Sequence, residues 1–193
     1  TIIKESRKYP QLYWGAIIMF FYMGAESGTA GFFISYLREV AGFATSETAE
    51  YLTYYYICST IVCIIGIFLL QVVSPGRLVA LFGIGMVVMY LLAALTKAAW
   101  NPFYLLGMGA FISIMFPSIF SLAIEGAEGF TVKGSALINI AVVGGAVFPP
   151  LQGMIADTKG VQLSYLVPCL CFVFIVLYGV FCDRRTVQTK AVA

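Results

Sequence analysis

Glu26 is the side chain whose position in the sequence points most directly to chemistry. It lies near the centre of an apolar run from Leu12 to Leu37, and about 20 apolar residues are enough to cross a bilayer. A carboxylate at that depth costs about 2.5–3.5 kcal/mol on insertion scales, so it must face protein, water or a ligand rather than lipid. We therefore interpret this segment as one wall of a pathway through a membrane.

The neighbours of Glu26 at helical spacing form a polar and aromatic face. Tyr22, Thr29 and Phe33 fall on the same side of a helix as Glu26. A carboxylate, two hydroxyl groups and an aromatic ring suit a sugar, whose hydroxyls pair with polar groups and whose ring face packs on aromatics. These four residues are predicted to contact substrate. The alternative is that Glu26 bonds to a neighbouring helix for structural reasons.

Glycines flank Glu26 on the same helix. Gly24, Gly28 and Gly31 allow another backbone to approach closely, and they weaken the helix locally. They are expected to serve packing or bending.

A second polar constellation lies near the end of the chain, in KGSALINIAVVGGAVFPPLQGMIAD. Asn139 is a lone amide within an apolar run, and it is a further candidate substrate contact, or else it bonds across helices. Gly144-Gly145 and Pro149-Pro150 are expected to interrupt the helix and to act in packing or as a hinge, because freed backbone groups can line a cavity. Pro117 is a weaker candidate of the same kind.

Composition excludes several classes of protein. Of the 193 residues, 61% are hydrophobic and 10% are charged, whereas soluble domains carry about 25% charged residues. A net charge of +2 is too small to suggest nucleic acid, and the absence of histidine excludes a His-centred catalytic or zinc site. We expect no metal, no cofactor and no enzymatic activity, and no filter-like motif indicates a channel.

The hydropathy pattern predicts an all-α membrane protein. A flank at 1–11 and a tail at 183–193 enclose a bundle with six transmembrane helices at about 12–37, 48–73, 78–96, 102–124, 135–156 and 161–182. Because the chain begins at Thr1 rather than at methionine, we expect a fragment or a processed chain. Leu70-Gln71 before the third helix recurs as Leu151-Gln152 before the sixth, which indicates two groups of three helices.

Basic residues predict the orientation of the bundle. With the amino terminus inside, eight basic residues fall on the inner side and three on the outer side. The eight are Lys4, Arg7, Lys8, Arg77, Lys133, Arg184, Arg185 and Lys190, and the three are Arg38, Lys97 and Lys159. Since cytoplasmic loops carry the excess of Lys and Arg, both termini are predicted to be cytoplasmic.

Two long segments resemble one transporter family. FFYMGAESGTAGFFISYL resembles the seventh helix of the fucose:proton symporter family of the major facilitator superfamily, and KGSALINIAVVGGAVFPPLQGMIADTKGVQLSYLVP resembles its eleventh helix and the start of its twelfth. The glutamate in GAESG is most similar to the glucose/galactose branch. The resemblance covers essentially the whole chain.

The resemblance implies a fold, an activity and partners. It implies a three-plus-three inverted repeat that forms the carboxy-terminal half of a secondary transporter in the inner (plasma) membrane. That transporter would move a hexose or a fucose-like sugar by proton symport with alternating access. The partners implied are the monosaccharide, the proton, the lipid bilayer and a missing amino-terminal six-helix half. The alternative is an isolated six-helix module that folds or dimerises without transport.

Overall fold

A computed structural model describes residues 9–96, 101–125 and 131–192, and the described residues are almost entirely helical. Most of the predicted flank at 1–11 lies outside these ranges. Three long helices come first: α1 Pro10–Glu39, α2 Thr45–Val72 and α3 Pro75–Leu95. Three interrupted spans follow: α4 Asn101–Ile112 with α5 Met115–Ile124, α6 Thr131–Ala141 with α7 Gly144–Lys159, and α8 Val161–Ser164 with α9 Leu166–Val192.

The described residues contain six helical spans long and apolar enough to cross a membrane, namely α1, α2, α3, α4–α5, α6–α7 and α8–α9. The predicted six-helix, all-α architecture is thus confirmed. Most bounds differ from the prediction by a few residues. Helix α2 begins before residue 48, because the Glu47 carboxylate accepts a hydrogen bond from the Ala44 N–H at 3.0 Å. Helix α9 continues into the predicted tail, where neither glycine nor proline stops it.

The contacts between spans repeat with an internal two-fold pattern. Helix α1 packs against α7 and α9, and α4 correspondingly packs against α2 and α3. Helix α1 also packs against α5, and α3 packs extensively against α9. If the first three spans are exchanged with the last three, this pattern of contacts is unchanged. This is the arrangement expected of a three-plus-three repeat.

Helix α3 and the last span are bonded at both ends. At the end that holds both chain termini, the Ser74 hydroxyl donates to Asp183 at 2.6 Å, and Arg77 lies 3.5 Å from the same carboxylate. At the other end, the Gln162 amide donates to the backbone carbonyls of Ala93 at 3.2 Å and Thr96 at 2.8 Å. Helix α3 is therefore held along its whole length.

Large aromatic side chains fill the space between α1, α3 and the last span. Tyr22, Tyr36, Tyr90, Tyr165, Phe33 and Phe172 are among the largest fully buried side chains. Buried hydroxyl groups need hydrogen-bond partners where water is absent. The Tyr36 hydroxyl donates to the Ala93 carbonyl at 2.6 Å, and the Tyr90 and Thr29 hydroxyls lie 2.6 Å apart. The core is thus polar in places but hydrogen-bonded.

Candidate functional site

Glu26 lies about midway along α1 and is partly buried. Its carboxylate interacts with the hydroxyl of Tyr22, one helical turn earlier, and lies close to Tyr55 of α2. Tyr22 and Tyr55 are both 2% exposed. Two buried phenols therefore accompany one partly accessible carboxylate at the depth of the bilayer centre.

Tyr22 connects Glu26 to the interruption between α4 and α5. Its hydroxyl donates to the Ile112 carbonyl at 3.3 Å, which belongs to the last turn of α4, where carbonyls lack their usual helical partners. Beyond the interruption, the ring of Phe116 lies 6.4 Å from the Tyr22 ring and is 37% exposed. Three spans therefore meet at Glu26: α1, α2 and α4–α5.

Pro117 accounts for the position of that interruption. Because proline has no N–H and its ring clashes with the carbonyl four residues earlier, the helix cannot be regular at Ser113. The Ser113 hydroxyl donates to the Ala110 carbonyl, and the Ser118 hydroxyl donates to the Ile114 carbonyl, both at 2.8 Å. The serines around Pro117 thus bond their own helix, and Pro117 acts on backbone shape.

Thr29 and Phe33 are covered by other helices of the same chain, and each is 0% exposed. The Thr29 hydroxyl donates to the Ala25 carbonyl at 2.7 Å and shares a hydrogen bond with Tyr90. The Phe33 ring packs on Tyr55, with ring centroids 5.2 Å apart. Contact of Thr29 or Phe33 with a substrate stays a prediction, and in this structure both residues support the packing around Glu26.

The accessible side of α1 lies next to Glu26 rather than on the predicted face. Four partly exposed residues lie beside Glu26 around the circumference of the helix, namely Met23, Ser27, Ala30 and Ile34. Helix α2 borders this side at Tyr55, and α7 borders it where Ser27 meets Gly145. Glu26 therefore lies at the edge of an open face between α2 and α7.

Glycines bring α1 and α7 into close contact. A methyl group added at Gly24 would overlap the Phe148 ring, and one added at Gly28 would overlap the Gln152 side chain. A methyl group added at Gly144 would overlap the backbone carbonyl of Phe20. Gly31 differs from the expectation of close approach, since no described atom lies within 4 Å of a Cβ placed there.

The α6–α7 span is interrupted before Gly144 and not at the paired prolines. A methyl group at Gly145 would lie 2.7 Å from the Ser27 hydroxyl oxygen. Pro149 and Pro150 were expected to interrupt the helix, but both lie inside α7. The interruption comes one to two turns earlier, where Gly145 N bonds to Val142 O at 2.9 Å in the tighter i→i−3 pattern. This break lies directly before the Gly144-Gly145 pair, whereas the carbonyls that the two prolines crowd, four residues before each, lie inside α7.

Asn139 lies in α6 and is exposed, apart from the group around Glu26. Its backbone carbonyl accepts the Val142 N–H at 3.2 Å, at the start of the break. Gln152 is 1% exposed, and its amide donates to the Ser164 hydroxyl at 3.4 Å. The structure thus brings together Glu26 and Tyr22 among the predicted contacts, and it leaves Asn139 elsewhere.

Tyr55 and Phe116 were not singled out from the sequence. Tyr55 is one of three consecutive tyrosines, whose neighbours Tyr54 and Tyr56 are 52% and 53% exposed. A run of tyrosines near the start of a membrane helix is typical of an interfacial belt. Because successive residues of a helix point in different directions, only one tyrosine of such a run faces the interior, but nothing in the run shows which one. Phe116 directly precedes Pro117, and this position next to a helix breaker could have identified it as a candidate.

Two spans are much less covered than the others. Only 11% of the apolar window of α2 and 22% of that of α6–α7 are buried, against 44–50% for the other four spans. These two spans flank the open face beside Glu26. Among the described residues, no group of three His, Cys, Asp or Glu side chains could hold a metal ion.

No family model matches the chain. It is 33% identical over 174 residues to a glucose/galactose transporter of Brucella abortus, covering 89% of this chain and 42% of that protein. It is 29% identical over 170 residues to the L-fucose-proton symporter of Escherichia coli, covering 87% of this chain and 39% of that protein. The chain thus spans less than half the length of the curated relatives it matches.

A solved structure agrees with these relatives. The outward conformation of FucP, a major facilitator superfamily transporter, superposes with a TM-score of 0.88 at 27% identity, covering 94% of this chain and 44% of that one. The similar proteins are transporters, not enzymes. The resemblance seen in the sequence is therefore confirmed: the chain has the fold of one six-helix half of a major facilitator transporter and is a homologue of the glucose/galactose and L-fucose-proton transporters.

Proposed function

We propose that the chain is the carboxy-terminal half of a transporter that moves a monosaccharide by proton symport with alternating access. In this proposal Glu26 is the main substrate contact that this half contributes. The observation that carries it is the partly accessible Glu26 carboxylate at mid-span, which has the buried phenols of Tyr22 and Tyr55 nearby and lies beside an interrupted helix. The names of the relatives support the substrate class.

The chemistry of the site suits a sugar. A carboxylate accepts hydrogen bonds from sugar hydroxyls, and such charge-assisted bonds are about twice as strong as neutral ones. The Tyr22 hydroxyl lies beside the carboxylate, and the exposed ring of Phe116 offers an apolar surface for the sugar ring. The break between α4 and α5 lets this part of the wall change shape as the substrate binds.

A second six-helix unit is part of the proposal. Asn139 is exposed on α6, and a lipid-facing amide would have no hydrogen-bond partner in the hydrocarbon. Its span and α2 are also the least covered. We infer that these two spans face the other half of the transporter, so that Asn139 faces the shared cavity. If the chain were isolated, the same faces would favour a homodimer.

The proposal also covers the cellular location and the orientation of the chain. We place the chain as a multi-pass protein of the inner (plasma) membrane with both termini in the cytoplasm. The support is the distribution of basic residues, eight against three between the two sides.

The experiment that tests the proposal is sugar uptake by the whole transporter in proteoliposomes, with and without a pH gradient. Glu26→Gln keeps the shape of the side chain but removes its charge. Loss of a charged hydrogen bond costs about 1.5–3 kcal/mol, so we expect the affinity for labelled glucose, galactose or fucose to fall by about 10–150-fold. Glu50→Gln, at an exposed glutamate of α2, is the matched control and should leave affinity unchanged.

The same measurement separates binding from proton coupling. If Glu26 only binds sugar, the Gln variant still accumulates sugar against a gradient at high substrate concentration. If Glu26 also carries the proton, accumulation fails while sugar exchange persists. A Gln variant with the affinity and accumulation of the parent would show that Glu26 is structural.

A further inference from the structure

An apolar groove runs along α1 and α9, on the side of α1 away from Glu26. Trp14, Ile17 and Phe21 line it from α1, and Phe174 and Phe181 line it from α9. Its volume is about 540 Å³, within the range of about 300–1,000 Å³ typical of small-molecule sites. The lining from Phe174 to Cys182 extends roughly 12 Å along the helix axis. That length is close to one leaflet of a hydrocarbon core roughly 30 Å thick.

The groove continues into a second one of about 570 Å³ between α1, α7 and α9, and Phe21 and Phe174 line both. These two rings stack with centroids 5.4 Å apart. The polar side chains of the first groove are Gln11 and Tyr178, and the Tyr178 hydroxyl donates to the Gln11 carbonyl at 3.5 Å. The lining contains no charged side chain, so its interior fits a hydrocarbon chain.

The mouth of the first groove carries positive charge. Arg184 is exposed and lies one helical turn beyond Phe181, which lines the groove. The nearby acid Asp183 is already bound by Ser74 and Arg77.

The start of α1 lies at the same end of the groove, because Pro10 and Gln11 line it. Trp14, at 54% exposure, lies where an interfacial tryptophan is expected. The groove thus joins an apolar interior to a cationic mouth at the headgroup level.

We propose that this groove binds one acyl chain of an anionic phospholipid, whose headgroup is held by Arg184. Basic sites between transmembrane helices on one side of a membrane are known to favour anionic headgroups. The site requires only that the chain spans a bilayer. It is separate from the Glu26 site and independent of which sugar is carried.

Trp14 supplies a direct readout, because it lines the groove and the chain has one other tryptophan, Trp100. The 193-residue chain carrying Trp100→Phe is reconstituted in phosphatidylcholine with dibrominated phosphatidylglycerol or dibrominated phosphatidylcholine as fluorescence quenchers. We expect the anionic lipid to quench Trp14 at a lower mole fraction. The preference is worth about fivefold for each basic side chain near the headgroup, and it should fall at high salt.

Matched variants locate the effect. Arg184→Gln should remove most of the preference, whereas Lys159→Gln, at the other end of the bundle, should leave it. A second reporter, Phe68→Trp combined with Trp14→Phe and Trp100→Phe, puts the tryptophan on α2, where Phe68 is 63% exposed. That reporter should be quenched equally by both lipids.

Three results would overturn the proposal. The first is equal quenching of Trp14 by both brominated lipids. The second is a preference that survives in the Arg184→Gln variant. The third is the same preference at the α2 reporter, which would assign it to the whole membrane-facing surface rather than to the groove.

Discussion

Gly144→Ala tests whether the contact between α1 and α7 depends on glycine. The added Cβ would overlap the backbone carbonyl of Phe20, and a backbone atom cannot rotate away as the end of a side chain can. The two helices must therefore separate. Gly153→Ala is the matched control in the same helix, because the nearest atom, Cζ of Phe32, would be 3.6 Å from its Cβ, which is an ordinary contact.

The magnitude follows from the difference between the two variants. Overpacking costs about 1–3 kcal/mol, and the backbone clash puts Gly144 in the upper part of that range. Replacing glycine by alanine in a helix returns up to about 1 kcal/mol in both variants. We expect Gly144→Ala to be less stable than Gly153→Ala by about 2–3 kcal/mol. At about 2–4 °C per kcal/mol for a chain of this length, the difference in Tm is about 4–12 °C.

Buried cysteines provide the assay. Cys169, Cys171 and Cys182 are buried thiols, so a thiol-reactive fluorophore reports unfolding of the detergent-solubilised chain as they become accessible. Cys58 and Cys63, which are partly exposed, set the baseline. Equal melting temperatures for Gly144→Ala and Gly153→Ala would refute the reasoning that glycine is needed for close packing here.

Three further predictions concern orientation, the core and assembly. An impermeant thiol reagent applied outside intact cells should label a cysteine placed at Lys159 and spare one at Lys190; the reverse pattern would invert the proposed topology. Tyr90→Phe should lower the free energy of unfolding by about 0.5–1.5 kcal/mol, because it removes the 2.6 Å bond to Thr29, and Tyr56→Phe on the exposed side of α2 should not. The isolated chain should crosslink as a dimer in lipid and in detergent, and a strictly monomeric, stable species in both would contradict the inference from the uncovered faces of α2 and α6–α7.

The number and order of the spans could be predicted from the sequence, because crossing a bilayer demands long apolar helices whatever their neighbours are. The orientation of each helix about its axis could not. In water, the apolar side of a helix faces the core, but in lipid the outward side is equally apolar. The shared face of Tyr22, Glu26, Thr29 and Phe33 was therefore visible, yet Thr29 and Phe33 face the core of the chain itself.

Helix breaks and long-range partners were predicted only in part. Pro149 and Pro150 indicated an irregular span, but both lie inside α7, and the irregularity comes directly before Gly144. Tyr55 was missed because its role depends on the proximity of α2 to Glu26. That contact joins residues far apart in sequence, and hydropathy carries no signal of it.

The bonds at both ends of α3 have a consequence for spectroscopy. Ser74 and Arg77 bind Asp183 at one end, and Gln162 binds the end of α3 at the other. Helix α3 and the last span therefore form a single rigid unit. Spin labels at the exposed Leu81 and Leu177 would then give one unchanging interlabel distance in every state of the proposed transport cycle. The distance between that pair is a fixed internal reference with which the displacement of labels on α2 and α7 can be compared.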